Sequence, residues 1–344
     1  MKARNIAVCP ASGLQHHASD ELHLVGGGGG SRAILALSGM IYSLHKAGLL
    51  QNLCTIGGIS GGSFGTLMLA AGMSPEEIVR QAIAIDFQGL LTGKPGILRL
   101  LYTALFKERF ETTRPEKSIY TTEKVGEWID QLVPVWPEKY WTMAIDGETG
   151  KHQILFTARG VFRISESAQV EQISDKPARL SDAIRGSIAL PGFIASQNWN
   201  GIRLLDGALT WDGTCPIGVP VRHFDVSPNT IVAGYFADHK QPGFLNKLMY
   251  WWEDYQRRDY PWSDEKRDPA RWAKRGTALI HPRFYFPTMK FTFTAEEKWE
   301  AVIKSFQSTT RALLRTGKID LDKFQQMEQF ANNRKGFIES FKVL

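Results

Sequence analysis

Residues 22–63 read LHLVGGGGGSRAILALSGMIYSLHKAGLLQNLCTIGGISGGS. Leu22 to Val25 form a short apolar run that enters five consecutive glycines, Gly26 to Gly30. From Ala33 the period changes. Ile34, Leu37, Ile41 and Leu44 recur at helical spacing, and Gly48 supplies a natural stop. Leu53 to Ile59 is a second strand-like run, and after a tight turn Phe64 to Ala71 reads as an apolar helix ended by Gly72. Strand, Gly-rich loop, helix, strand, tight turn, helix is the start of a parallel sheet. It predicts an α/β fold with three layers, α/β/α, around a central mostly parallel sheet.

Further along, residues 75–140 read as helical but irregular, with Pro95, Pro115, Pro134 and Pro137. They contain a basic amphipathic piece, ILRLLYTALFKERF, at 97–110. YWTMAID and KHQILFTA flank the turn GETG as a hairpin. Ser181 to Leu190 reads as a short helix closed by Pro191-Gly192. IRLLDGALT is a strand reaching a turn at Asp206-Gly207, and TIVAGYFA, 230–237, is a further buried strand. Residues 243–275 mix Trp and Tyr with charges and read as a surface excursion. Thr294 and Glu297 make a capping box, and Trp299, Val302, Ile303, Phe306 and Leu313 mark the buried face of a long final helix. No repeat or linker divides the chain. One domain over residues 20–344 is expected, with lid-like or interfacial insertions near 86–138 and 243–275.

The 344 residues are 43% apolar, enough for a substantial core. Cys9, Cys54 and Cys215 are scattered and read as reduced thiols. With no CxxC or HExxH spacing, neither a metal nor another cofactor is expected. The net charge of +6 is mild, without a basic block or a nucleic-acid motif, so no nucleic-acid partner is expected. No apolar run reaches membrane-spanning length and the N-terminus lacks a signal-peptide core. The expected location is cytoplasmic or peripheral to a membrane.

A Gly-rich loop between strand and helix gathers unpaired N–H groups at a helix N-terminus, where negative charge is favoured. A nucleotide phosphate would ask for GxxxxGK[ST], and this loop has Gly-Ser-Arg-Ala instead. A dinucleotide fingerprint fits Gly26 and Gly28 but meets Ser31 at its third glycine, and no ribose-binding acid follows. The second turn points elsewhere. Gly58-Ile59-Ser60-Gly61-Gly62 is a GxSxG at a strand-to-helix corner, the geometry that exposes a nucleophilic serine between small residues. The anion is then one the reaction makes, the tetrahedral intermediate, and the glycine N–H groups are its donors.

The run GGGSRA, a helix with an internal glycine, GLL and GISGGS together resemble the patatin-like phospholipases. They are nearer still to the motifs of the cytosolic phospholipase A2 and lysophospholipase B type. The resemblance is dense over 26–63 and returns at LSDAIRGSIALPGF, 180–193, and at Asp206-Gly207-Ala208. It implies a Ser-Asp dyad, with Ser60 as nucleophile and Asp206 as general base, within a nucleophile elbow bounded by Gly58 and Gly62. It also implies an oxyanion hole from Gly28, Gly29 and Gly30, and substrate contacts from Arg32 and Gly61. Ala33 stands where most patatins have glycine, which is the phospholipase A2 form, and the fifth glycine leaves the register of the donors open by one residue.

The expected activity is hydrolysis of carboxylic esters of phospholipids or lysophospholipids at a membrane surface, with an activator left open. The aromatic and cationic segments at 97–110 and 243–275 have the composition of interfacial segments. Two alternatives stand beside it. An α/β-hydrolase triad would draw on His223, His239 or His281, although that fold usually places more strands before its nucleophile. A catalytically silent lipid-binding protein is the other.

Overall fold

The computed structural model describes residues 21–93, 118–191, 193–236, 268–283 and 290–342. Its centre is a mixed sheet. β1 (Leu22–Gly26) lies between β2 (Leu53–Gly58) and β9 (Ile231–Gly234), and β10 (Ala278–Ile280) adds to β9, all in parallel. On the other side of β2 runs β3 (Tyr140–Asp146), also parallel. From β3 outward the sheet turns antiparallel through β4 (His152–Thr157), β5 (Gly160–Ser165) and β6 (Val170–Ser174). The expected hairpin is therefore β3 and β4, and it extends by two strands that the sequence reading did not separate.

A second hairpin, β7 (Gln197–Trp199) with β8 (Ile202–Asp206), returns to β3. β3 shares one edge between two partners. Its first residues pair with β2, ending at Thr142 opposite Gly58, and its last pair with β8, beginning at Ala144 opposite Asp206. Since β2 runs parallel to β3 and β8 antiparallel, their carboxyl ends meet head to head along that edge. The meeting point carries the site.

Alternation along the strands builds two layers of core. Leu22, Leu24, Leu53 and Ile56 pack under α1 (Ser31–Lys46), α2 (Gly61–Ala70), α3 (Pro75–Ala84), α4 (Glu123–Leu132) and α5 (Leu180–Ser187). Val25, Ile231, Trp141 and Met143 face the opposite side, under Ile217 and Val219 by α6 (Gly218–His223) and Trp272 of α7 (Ala270–Ala273). The α/β/α layering is as the sequence predicts.

α1 is buried on its outer side too, by α8 (Ala295–Arg315), which starts at the Thr294–Glu297 capping box. The two helices touch backbone to backbone: a Cβ on Gly39 would lie 2.1 Å from the Val302 carbonyl oxygen. α8 is not the final helix. α9 (Leu321–Asn332) and α10 (Arg334–Glu339) follow and fold back, so that Phe306 of α8, Phe330 of α9, Phe337 of α10 and Phe341 just beyond it surround Tyr42 of α1. The buried ones, Phe306, Phe337 and Phe341, contribute roughly 1.5–3 kcal/mol each, which holds α1, and with it the Gly-rich loop, in place.

The basic piece at 97–110 and most of the aromatic excursion at 243–275 lie outside the described residues. Among the described residues, no helix is long and apolar enough to cross a membrane.

Candidate active site

The two Gly-rich turns answer each other. A Cβ on Gly61 would stand 2.1 Å from the Gly30 carbonyl oxygen, and one on Gly62 would stand 2.3 Å from that of Gly27. No side chain fits between the loops, so the elbow after β2 lies directly against the loop after β1. Gly26 and Gly28 likewise face the elbow, at Gly62 and Ser60, whereas Gly27 and Gly29 are held against Gly234 and Phe236.

Ser60 is the corner itself. Its φ of 52° and ψ of −137° belong to a region that residues with a Cβ rarely adopt, at a cost of about 1–3 kcal/mol. The strained corner throws its side chain out of the strand and lets α2 begin at once with Gly61, three residues before the expected Phe64. Asp206 closes β8 and caps the short turn after it, accepting from the Ala208 N–H at 2.8 Å. Its carboxyl group also faces the Ser60 side chain, close enough for that hydroxyl to favour the charged form. Burial pushes the Asp206 carboxyl up to about 6, against the downward pull of the Ala208 bond and the Ser60 hydroxyl.

Both residues open on one cavity of about 170 Å³. Its polar end is formed by Gly28 to Arg32, Ser60, Gly61, Asp206 and Thr214. The remaining wall is apolar, with Ile34, Phe64, Phe87, Leu90, Leu91, Val125, Ile188, Leu190, Ile194, Phe236 and Phe291. An apolar slot ending on a serine and a buried carboxylate suits a hydrocarbon chain that carries a reactive polar group.

The N–H groups of the loop are not all open to the cavity. The Gly28 N–H is bonded to the Thr214 carbonyl at 2.7 Å, and that of Gly27 to the Gly234 carbonyl at 2.9 Å. Gly28 instead presents its Cα to Ser60, where a Cβ would come within 3.2 Å of the serine Cβ. The N–H groups of Gly29, Gly30 and Gly61 have no backbone carbonyl partner among the described residues. Arg32 lines the cavity but is almost fully buried, and its guanidinium donates to the Phe236 carbonyl. It thereby ties the end of β9 to the loop.

Two of the three histidines considered for a triad fall within the described residues, and neither lines the cavity. His223 is buried on the opposite side of the sheet near Asp212 and Arg222, and burial lowers it to about 4. His281 is exposed against the Tyr235 ring. His239 lies outside the described residues. One residue at the site escaped the sequence reading. Ser187, at the end of α5, accepts from the Ser60 N–H at 3.1 Å and donates to the Met143 carbonyl at 2.7 Å. Its only signal was its place in the Ala/Ser-rich island before Pro191.

Fold and site together define an α/β protein that brings a strained serine and a buried carboxyl group to one end of an apolar cavity. Comparison with protein families matches the patatin-like phospholipase family over residues 24–219, more than half of the chain, and the protein belongs to that family. No curated protein matches the chain. Among solved structures it is similar to VipD from Legionella pneumophila, at 15% identity and a TM-score of 0.47, covering 86% of this chain and 67% of that one. It is also similar to the type III effector protein ExoU, at 14% identity and a TM-score of 0.41, covering 90% and 58%. Human GIVD cytosolic phospholipase A2 in complex with methyl gamma-linolenyl fluorophosphonate gives 14% and 0.41, covering 93% and 61%. The chain thus spans between 58% and 67% of the length of these three.

Proposed function

We propose that this protein hydrolyses the carboxylic ester bonds of phospholipids or lysophospholipids through a Ser60–Asp206 dyad and an acyl-enzyme intermediate. The observation that carries the reading is a serine in a strained elbow, facing a buried carboxyl group at the polar end of an apolar cavity.

With an acyl chain along Phe64, Phe87 and Phe291, the ester carbonyl reaches the polar end. Ser60 Oγ attacks the carbonyl carbon as Asp206 takes its proton, and the negative oxygen accepts from the N–H groups of Gly29, Gly30 and Gly61, which have no backbone partner among the described residues. Collapse expels the alcohol, which receives the proton back from Asp206 and leaves the acyl-Ser60 ester. Asp206 then deprotonates a water that attacks this ester, and the fatty acid and free Ser60 result. A carboxylate raised to about 6 is a stronger base than one at its ordinary value, and it is still ionised at neutral pH. Arg32 places positive charge beside the cavity, which favours an anionic head group or leaving group there. Contact with a membrane surface supplies the substrate in this reading.

The test is release of fatty acid from mixed phospholipid vesicles by wild type, Ser60→Ala, Asp206→Ala and a His223/His239/His281 triple alanine variant. Loss in the first two with survival of the third is expected. Loss in a folded histidine variant would replace the dyad by a triad. Cleavage of short water-soluble esters with no binding to vesicles would remove the phospholipid part, and turnover by Ser60→Ala equal to wild type would remove the mechanism.

A further inference from the structure

β2 stops pairing with β3 at Gly58 opposite Thr142, and β8 takes over at Asp206 opposite Ala144. Between them the Met143 carbonyl faces the junction, and the backbone N–H of Ser60, just past the end of β2, points into it too. Both are deeply buried, where an unpaired backbone group costs about 1–3 kcal/mol. They do not meet directly. The Ser187 hydroxyl lies between, accepting from Ser60 N–H at 3.1 Å and donating to Met143 C=O at 2.7 Å. Two residues further on, the Ala189 carbonyl accepts from the Asp206 N–H at 3.0 Å. One three-residue segment at the end of α5 therefore holds the backbones of both Ser60 and Asp206.

Resting on the dyad reading above, we infer that Ser187 is a positioning residue: its hydroxyl bridges the Ser60 N–H to the Met143 carbonyl and so sets the direction of the nucleophile relative to Asp206. The strained torsions of Ser60 need an external restraint, since an unrestrained serine relaxes toward extended or helical backbone. The bridge acts at the N–H, one bond from the Cα that carries the nucleophile. It also references Ser60 to the strand that aligns Asp206, because Met143 and Ala144 are neighbours on β3. A hydroxyl is required because a single atom must both accept and donate. Threonine keeps that property, whereas alanine has neither function and removes both bonds.

The experiment compares wild type, Ser60→Ala, Ser187→Ala, Ser187→Thr and Ser187→Cys on a short water-soluble ester. Active sites are counted with a serine-reactive fluorophosphonate and turnover is expressed per titrated site. Ser187→Ala is expected to lower kcat per site by about 10- to 100-fold, the scale of a small misplacement of a reacting group. KM is expected to move less than threefold, and the pH midpoint set by Asp206 is expected to stay put. Ser187→Thr is expected to recover most of kcat, and Ser187→Cys, a weak donor and acceptor of similar size, to fall between. A purely structural prop would lower the number of titratable sites and the melting temperature with kcat per site unchanged, and that result would overturn the inference. Should Ser187→Ala fail to fold, the cysteine variant is read by the same criterion. A Ser60→Ala variant that retains activity would instead overturn the dyad reading itself, so the two failures are distinct.

Discussion

Asp206 is sealed against the Ser60 hydroxyl at the junction of two strands, only 3% exposed, and its carboxyl is raised to about 6 by burial. A general base works only when ionised. Activity on a soluble ester is therefore expected to fall about tenfold per pH unit below 6 and to level off above 7. The measurement is kcat/KM between pH 4.5 and 8 at constant ionic strength. A profile flat through this range would remove Asp206 from the role of base.

The same shift has a stability consequence of opposite sign. Because the folded-state value lies above the ordinary 3.8, the folded protein binds a proton more tightly than the unfolded chain between pH 3.8 and 6. The charged form at neutral pH is then a cost of up to about 3 kcal/mol, two pH units and a fraction at about 1.4 kcal/mol each. Asp206→Asn, which mimics the neutral acid, is expected to abolish turnover and yet to unfold at higher denaturant concentration than wild type at pH 8. That advantage should shrink to nothing below pH 4. Urea titrations at the two pH values test this, and a destabilised Asp206→Asn at pH 8 would contradict it.

The extent to which the site could be read beforehand follows from how local its interactions are. Ser60 and the elbow glycines were legible because GxSxG between a strand and a helix is a local pattern, and Asp206 because Asp-Gly after an apolar strand is one too. Which of the loop N–H groups is already bonded was not. Five identical glycines carry no side chain to fix the register, and only the bond from Gly28 to the Thr214 carbonyl, 186 residues away, removes Gly28 from the set. Ser187 was hidden for the same reason, its partners Ser60 and Met143 being brought to it by sheet topology. β6 was missed because Val170–Ser174 is a largely polar strand at the sheet edge, without the apolar alternation that marks a buried strand. α9 was missed because only Met327 and Ala331 of its residues are buried, too few to mark an apolar face.

Glycine substitutions separate architecture from chemistry. Gly61→Ala would drive a methyl group to 2.1 Å from a backbone carbonyl that cannot move aside, and it is expected to destabilise the protein by several kcal/mol or to prevent folding. Gly28→Ala meets only the Ser60 and Ala208 side chains, at 3.2 and 3.6 Å, and it retains an N–H bonded to Thr214. It is expected to fold with a melting temperature within a few degrees of wild type while turnover drops at least tenfold by crowding the nucleophile. Thermal melts beside initial rates decide it. Equal melting temperatures for the two variants would show that the loops are not packed as described.

His223 gives the complementary control. Buried at 1% exposure, with no hydrogen-bond partner for either ring nitrogen among the described residues, it is held neutral down to about pH 4, chiefly by desolvation and then by Arg222. Its folded-state value lies below the ordinary 6.5, so the unfolded chain takes up the proton first as the solution is acidified. Stability is therefore lost between pH 6.5 and 4, by up to about 3 kcal/mol over these two and a half units. His223→Leu, similar in volume and without a charge to bury, is expected to unfold at nearly the same urea concentration at pH 5 and pH 7, apart from the smaller opposite contribution of Asp206. Esterase activity at pH 7.5 should be unchanged. Retained activity with reduced acid sensitivity fits a histidine that belongs to the core on the far side of the sheet. A folded His223→Leu that loses turnover would instead tie that core to the reaction.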